Sequence, residues 1–253
     1  MIKAKLMKIR FYKWLLFSLV ILSSSFTPKA GIELLSLDMT ARTLYQGKSV
    51  TGTATLFYRV RGSELVTKMH TPFEYVVFTN SIGEYKSYDI KENSVTLLEG
   101  EDMSSNKSFI YQFLNGQTND LGLRDLGFKM TDTRFEDQIM INEWQAPNDK
   151  QISTQKIEIA FENYLPIYVG FFDAENNVTQ KTYYTNYQDV LYSKLPFTIT
   201  EINFLGEGDS SIARKTYSNL KLNGDVSEYW LNYSIPENAK VLSAQNANSS
   251  FQN

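Results

Sequence analysis

Few residues in this chain have the type and spacing that chemistry needs. His70 is the single histidine and there is no cysteine. A zinc site on paired imidazoles or thiolates, a Ser-His arrangement supported by a second imidazole, and a thiolate nucleophile therefore have nothing to draw on. His70 ends a strand-like run just before Thr71-Pro72, on the side opposite Leu65 and Met69, and is expected to face solvent. Glu99, Glu101 and Asp102 make an acidic knot, and Asp173-Ala174-Glu175-Asn176-Asn177 has the oxygens of a calcium loop but not its central glycine. Both read as solvated hairpin loops. Gly206-Glu207-Gly208-Asp209-Ser210-Ser211 has glycines but no Gly-Lys-Ser/Thr ending and opens no helix, so it reads as a hairpin connection and not a phosphate cradle. The expectation is a protein with no catalytic residue, no metal ligand and no cofactor, and not an enzyme.

The elements around these residues are short strands. From Gly52 to Leu98 the chain runs as Thr53 to Val60, Glu64 to His70, Phe73 to Thr79, Glu84 to Asp89 and Ser94 to Leu98. Arg61-Gly62, Thr71-Pro72, Asn80 to Gly83 and Lys91 to Asn93 supply the turns. The first alternates cleanly, Ala54, Leu56, Tyr58 and Val60 against Thr53, Thr55, Phe57 and Arg59, and the second sets Leu65, Thr67 and Met69 against Glu64, Val66, Lys68 and His70. This is an antiparallel meander with one apolar face.

Ile32 to Tyr45 fits two periods. Leu34, Leu37, Ala41 and Leu44 lie on a helix stripe, whereas Leu35, Leu37, Met39, Ala41, Thr43 and Tyr45 alternate as a strand. The β-branched and aromatic content favours a strand from about Leu37, turning at Gln46-Gly47-Lys48. Between Gly100 and Gly127 the strand rhythm stops. Ser104-Ser105-Asn106 offers an N-cap to a stripe of Phe109, Ile110, Phe113 and Leu114, Asn115-Gly116 ends it, and a further helical turn is expected over Asp120 to Leu126. Strands resume at Phe128 to Thr133, Gln138 to Gln145, Gln155 to Phe161, Tyr168 to Phe172 and Val178 to Asn186, with turns at Ala146 to Asp149, Leu165-Pro166 and Asp173 to Asn177.

The ends differ from this body. Lys3, Lys5, Lys8, Arg10 and Lys13 precede an apolar run from Trp14 to Leu22 and then Ser23-Ser24-Ser25, the grammar of a secretory signal. That run is about half of the roughly 20 residues a spanning helix needs. Residues 1–30 are therefore expected to be a signal peptide, cut after Ser25 or Ala30, residues 31–241 one β domain, and residues 242–253 a disordered polar tail. Without a cysteine there is no site for an N-terminal lipid anchor. The 25 basic and 28 acidic residues are interspersed, which leaves no basic stripe for nucleic acid. Sixteen tyrosines and sixteen phenylalanines either fill an ordinary core or line an apolar cavity.

The order of these features resembles the LolA-like family of periplasmic lipoprotein carriers. The matching residues are Gly52 to Arg59, Lys68 to Pro72, Tyr75 to Phe78, Gly83 and Tyr88-Asp89, then the W-x-x-P of Trp144 to Pro147, the I-E-I-A-F of Ile157 to Phe161, and Leu165-Pro166. Leu195-Pro196-Phe197, Arg214 to Asn219, a closing strand over Tyr229 to Ile235 and Pro236 to Val241 extend the resemblance to most of the chain. It implies a single strongly curved antiparallel sheet, an open or half β-barrel, with short helices over the concave face. Carriers of this family usually begin with a helix, so a strand at Leu37 to Tyr45 is a departure.

The resemblance also implies a function. An acyl chain of about 16 carbons costs roughly 0.8 kcal/mol per methylene to expose, and such a carrier shelters it. The expected cavity lining is Leu56, Tyr58, Leu65, Met69, Phe73, Tyr75, Val77, Ile159, Phe161, Val169, Phe171, Leu231 and Tyr233. Phe109, Phe113 and Leu114 form the lid, and Arg59 or Arg61 supplies the basic residue that holds it shut. The implied partners are lipoprotein acyl chains or other lipids, an inner-membrane release complex and an outer-membrane acceptor, met by a monomer in the periplasm. Two other readings remain open: a lipid-binding envelope sensor with the same fold, and a structural β-sandwich whose rings only fill its interior.

Overall fold

The computed structural model describes residues 31–147, 153–206 and 208–242. The expected signal peptide and nearly all of the expected tail lie outside these residues. Strands account for most of the rest. The first six, β1 (Leu34–Tyr45), β2 (Lys48–Arg59), β3 (Glu64–Thr71), β4 (Tyr75–Thr79), β5 (Glu84–Asp89) and β6 (Ser94–Glu99), form the meander read from the sequence. A second meander follows: β7 (Lys129–Glu136), β8 (Ile139–Gln145), β9 (Lys156–Glu162), β10 (Leu165–Phe172), β11 (Val178–Val190), β12 (Ser193–Gly206) and β13 (Asp209–Leu222). The two meet where β1 pairs with β13, Leu35 opposite Leu222 and Tyr45 opposite Ser211. A short β14 (Lys240–Leu242) closes the far edge by pairing in parallel with β6. All 14 strands thus form one sheet, in the order β14-β6-β5-β4-β3-β2-β1-β13-β12-β11-β10-β9-β8-β7. It is curved and open, not a closed barrel.

Several local readings are corrected. Ile32 to Tyr45 holds a strand from Leu34, three residues earlier than expected. Gln46 and Gly47 both have positive φ, 47° and 74°, the two-residue turn that suits the twist of a hairpin. Leu165-Pro166 is not a turn but the start of β10; the reversal lies one step earlier at Asn163 and Tyr164, φ 50° and 64°. The proline is tolerated because it sits at the beginning of its strand. Asp120 to Leu126 forms turns and no helix, since Leu121 and Gly122 take φ of 49° and 78°, which right-handed helix excludes. A 3-10 turn at Gln117–Asn119 precedes them.

Tyr229 to Ile235 is not a strand either. Asn232 N–H donates to Glu228 and Tyr233 N–H to Trp230, so the chain coils. Its aromatic residues pack together, with ring centroids 5.1 Å apart for Trp230 and Tyr233 and 5.8 Å for Tyr229 and Tyr233.

The only α-helix among the described residues, α1 (Phe109–Leu114), has six residues, less than two turns. Its cap is Ser108, whose hydroxyl accepts from the Tyr111 N–H at 3.2 Å. The expected capping serine, Ser104, instead caps a 3-10 turn by accepting from the Asn106 N–H. Too short to persist by itself, α1 is held by what it packs on.

Candidate functional site

Strand alternation sends one set of side chains to the face that α1 covers. Register places Leu35 beside Tyr58, Leu37 beside Leu56 and Met39 beside Ala54. The row continues through Leu65, Thr67 and Met69 on β3 and Val77 and Tyr75 on β4. On the other side of β1 it passes to Tyr217, and Ile199 stands beside Tyr184. It ends through Thr182, Val169 and Ile159 on β11, β10 and β9. Two buried clusters lie on this inner face. One gathers Leu35, Leu37, Leu56, Tyr58, Leu195, Phe197, Ile199 and Tyr217 under α1; the other gathers Trp144, Ile157, Ile159, Phe161 and Val169 under Leu123 and Phe128. Leu121 and Tyr184 touch both clusters, so the apolar surface is continuous.

The cover is the whole connection between β6 and β7, pinned at one end by hydrogen bonds to the hairpin turns. Ser104 Oγ donates to the Ser81 carbonyl at 2.9 Å, Ser105 Oγ to the Ser63 carbonyl, and the Ser105 N–H to the Asn80 carbonyl at 3.0 Å. Gly100 N–H donates to Gly83, so close that a Cβ on Gly83 would lie 2.2 Å from the Gly100 carbonyl oxygen. Only glycine fits there. From this hinge α1 inserts Ile110 (0% exposed) and Phe113 (2%) into the first cluster. The Phe109 and Tyr217 rings lie 4.6 Å apart, and Phe113 reaches Tyr184 at 5.6 Å and Tyr187 at 6.0 Å.

Burial pushes the Tyr184, Tyr187 and Tyr217 hydroxyls far above the ordinary phenol range, and the Glu201 carboxylate adds to the effect on Tyr184 and Tyr217. Glu201 is held by Lys215 at 2.9 Å. These tyrosines stay neutral at physiological pH and serve as apolar wall.

The expected lining residues divide by place. Leu56, Tyr58, Leu65 and Met69 join the first cluster with the lid residues Phe109, Phe113 and Leu114. Ile159, Phe161, Val169 and Phe171 join the second. Tyr75 and Val77 extend the same face and are half-buried. Three stand elsewhere. Phe73 is 65% exposed in the loop after β3. Leu231 lies on the opposite, outer face with Phe57, Val66 and Val76, and Tyr233 stacks there on Phe78 at 6.2 Å. Both belong to the coiled segment after β13, which straps the outer face of the first meander.

Neither arginine touches the cover. Arg59 alternates with Tyr58 and so points outward, donating to Glu64, to Glu228 at 3.2 Å and to Asn232 at 2.7 Å. It therefore ties down the strap. Arg61 is exposed in the β2–β3 turn.

Sequence reasoning placed Leu35 in a strand and Ile110 on the helix stripe but assigned neither to the lining or the lid, and it missed Tyr184, Phe197, Ile199 and Tyr217 as lining. The signal for Leu195, Phe197 and Ile199 was present as plain alternation. Among the described residues, cavities of about 210 and 540 Å³ lie on the outer face and one of about 330 Å³ lies beside the cover at Tyr111, Gln112 and Leu121. Under α1 the space expected for a ligand is occupied by Ile110 and Phe113.

No protein-family model and no curated protein matches the chain. Solved structures do. A LolA superfamily protein from Nitrosomonas europaea superposes with a TM-score of 0.53 at 12% identity, covering 78% of this chain and 90% of its own. A DUF1329 family protein from Desulfovibrio piger gives 0.55 at 14%, covering 80% and 90%. A domain assigned as outer membrane lipoprotein-sorting protein, from Vibrio parahaemolyticus, gives 0.55 at 15%, covering 79% and 89%. Those neighbours, together with the open curved sheet and its helical cover, identify the fold of this chain as LolA-like.

Proposed function

We propose that the protein is a non-catalytic carrier that shelters the acyl chains of lipoproteins, or of other lipids, on the inner face of its sheet and moves them across the periplasm toward the outer membrane. The observation that carries this reading is the continuous apolar face under a cover only a few residues deep. Its structural neighbours, among them a domain assigned to lipoprotein sorting, favour the same reading.

Magnitudes favour a displaceable cover. Removing Ile110 and Phe113 from the sheet costs about 1.5–3 kcal/mol each. An acyl chain of about 16 carbons gains roughly 0.8 kcal/mol for each methylene it buries, several times more in total. A chain can therefore replace the cover, and the cover's return helps expel it, which keeps affinity below the point of no release.

The test is to express the protein with its export route intact, purify it, extract it and identify bound lipid by mass spectrometry, then challenge the stripped protein with a diacylated peptide. A lipid adduct of one molecule per chain is expected. Absence of both co-purified lipid and uptake of the acylated peptide would end the carrier reading.

A further inference from the structure

The geometry points to β7 as a docking edge for a second copy of this chain. Among the described residues β7 is the last strand of the sheet, and its outer side pairs with nothing there. Native sheets blunt such edges with prolines, short strands, charge or bulges; β7 carries four charged residues and one bulge, but it has eight residues, no proline, and two large apolar side chains in the open, Met130 at 48% and Phe135 at 73% exposed.

Met130 and Phe135 are five positions apart, which in a regular strand would put them on opposite faces. The register against β8 slips between Met130 and Asp132, leaving Thr131 as a bulge. As a result Met130, Thr133 and Phe135 all face inward, beside Trp144, Asn142 and Met140, while Lys129, Asp132, Arg134 and Glu136 face outward.

This pattern is complementary to itself. An antiparallel copy placed with a two-fold axis at Thr133 sets Thr133 against Thr133 and Arg134 against Asp132. With the Thr131 bulge accommodated, Phe135 then meets Met130 and Glu136 meets Lys129. Every pair joins residues of one face, every charge meets its opposite, and each contact off the axis occurs twice, as an isologous interface requires.

Asp132 has a particular reason to want a cation on its free side. Its neighbour across β8 is Glu143, and Glu143 in turn faces Glu158. Like charges directly opposite one another are unfavourable. Within the chain Arg134 already holds Glu136 at 2.9 Å and Glu158 at 3.3 Å, so a partner's Asp132 would share it, while Lys129 and Asp132 make no ion pair among the described residues. Edge pairing alone buries less than the about 1,600 Å² of a standard stable complex, so the dimer should exchange with monomer.

Sedimentation velocity of the purified protein, from about 1 to about 200 μM, should show a monomer–dimer equilibrium. Asp132→Arg puts arginine against Arg134 at both symmetric places and should weaken association on the order of tenfold or more; Asp132→Arg combined with Arg134→Asp should restore it. Because the chain has no cysteine, Thr133→Cys gives an independent reading. Opposed residues at the axis fall within disulfide range, so oxidation should trap a dimer that off-axis Asp132→Cys does not form efficiently. Circular dichroism and melting temperature check that each variant is folded. A monomer at every concentration with no Thr133→Cys cross-link, or a dimer indifferent to Asp132→Arg, would overturn the proposal.

Discussion

At the residue scale the inner face is defined by side chains that cannot become charged without leaving it. Tyr184, Tyr187 and Tyr217 have hydroxyl pKa values raised by burial. Folding therefore favours their neutral form. The stabilisation this represents is fully present below the unfolded phenol pKa of about 10 and is lost as pH climbs through and beyond it. The urea midpoint should be flat from about pH 7 to about pH 9 and fall steeply above about 10. Tyr184→Phe keeps the ring against Phe113 and removes the titrating group, so its alkaline fall should be shallower. Identical curves for the two proteins would show that the tyrosines are more hydrated than their burial indicates. Phe113 makes the complementary case. Phe113→Asp trades a 2%-exposed ring for a carboxylate in an apolar cluster, a loss of about 3–5 kcal/mol or more. The cover should loosen and, because it competes with the ligand, uptake of acylated peptide should rise and release slow; unchanged uptake would detach the cover from binding.

At the element scale, what was legible in the sequence was whatever alternation or turn chemistry specifies locally. Ala54, Leu56 and Tyr58 declared their face because Thr53, Thr55 and Arg59 declared the other, and Gln46-Gly47 marked its hairpin. The failures share a cause. Tyr229 to Ile235 offers aromatic side chains that suit a strand or a coil, and the choice was made by Phe78 and Tyr88, more than 140 positions away. Nothing local shows that Arg59 serves the strap: its partners Glu228 and Asn232 lie 169 and 173 residues distant. The strap assignment and the expected lid role of Arg59 separate cleanly by experiment. Arg59→Ala should cost about 1 kcal/mol, as a partly exposed ion pair does, and should expose Trp230 to acrylamide quenching. Acyl-chain uptake should stay within about twofold of the parent. A large change in uptake with no change at Trp230 would return Arg59 to the lid.

At the scale of the whole molecule, the two faces of the first meander are covered in different ways, and the difference decides what can move. The strap adds a pairing strand, β14, along Ser94 to Thr96, an aromatic cluster, and the Arg59 contacts. The inner cover has hydrogen bonds to the sheet's turns mainly at its Ser104 and Ser105 end, then a helix of six residues whose grip is apolar. Apolar grip is the kind an acyl chain can replace without leaving a buried polar group unpaired, whereas stripping β14 would break its backbone pairing with β6 and gain nothing from the chain in return. Loading should therefore release one cover and leave the other. Followed by hydrogen exchange, binding of a diacylated peptide should speed exchange at Phe109–Leu114 by about tenfold or more, since local opening is then coupled to occupancy. Lys240–Leu242 and the β1–β13 pair should stay as slow as before. Faster exchange in the strap with a protected α1 would place the ligand on the outer face, against Phe57 and Val76, and would move the binding site to the other side of the sheet.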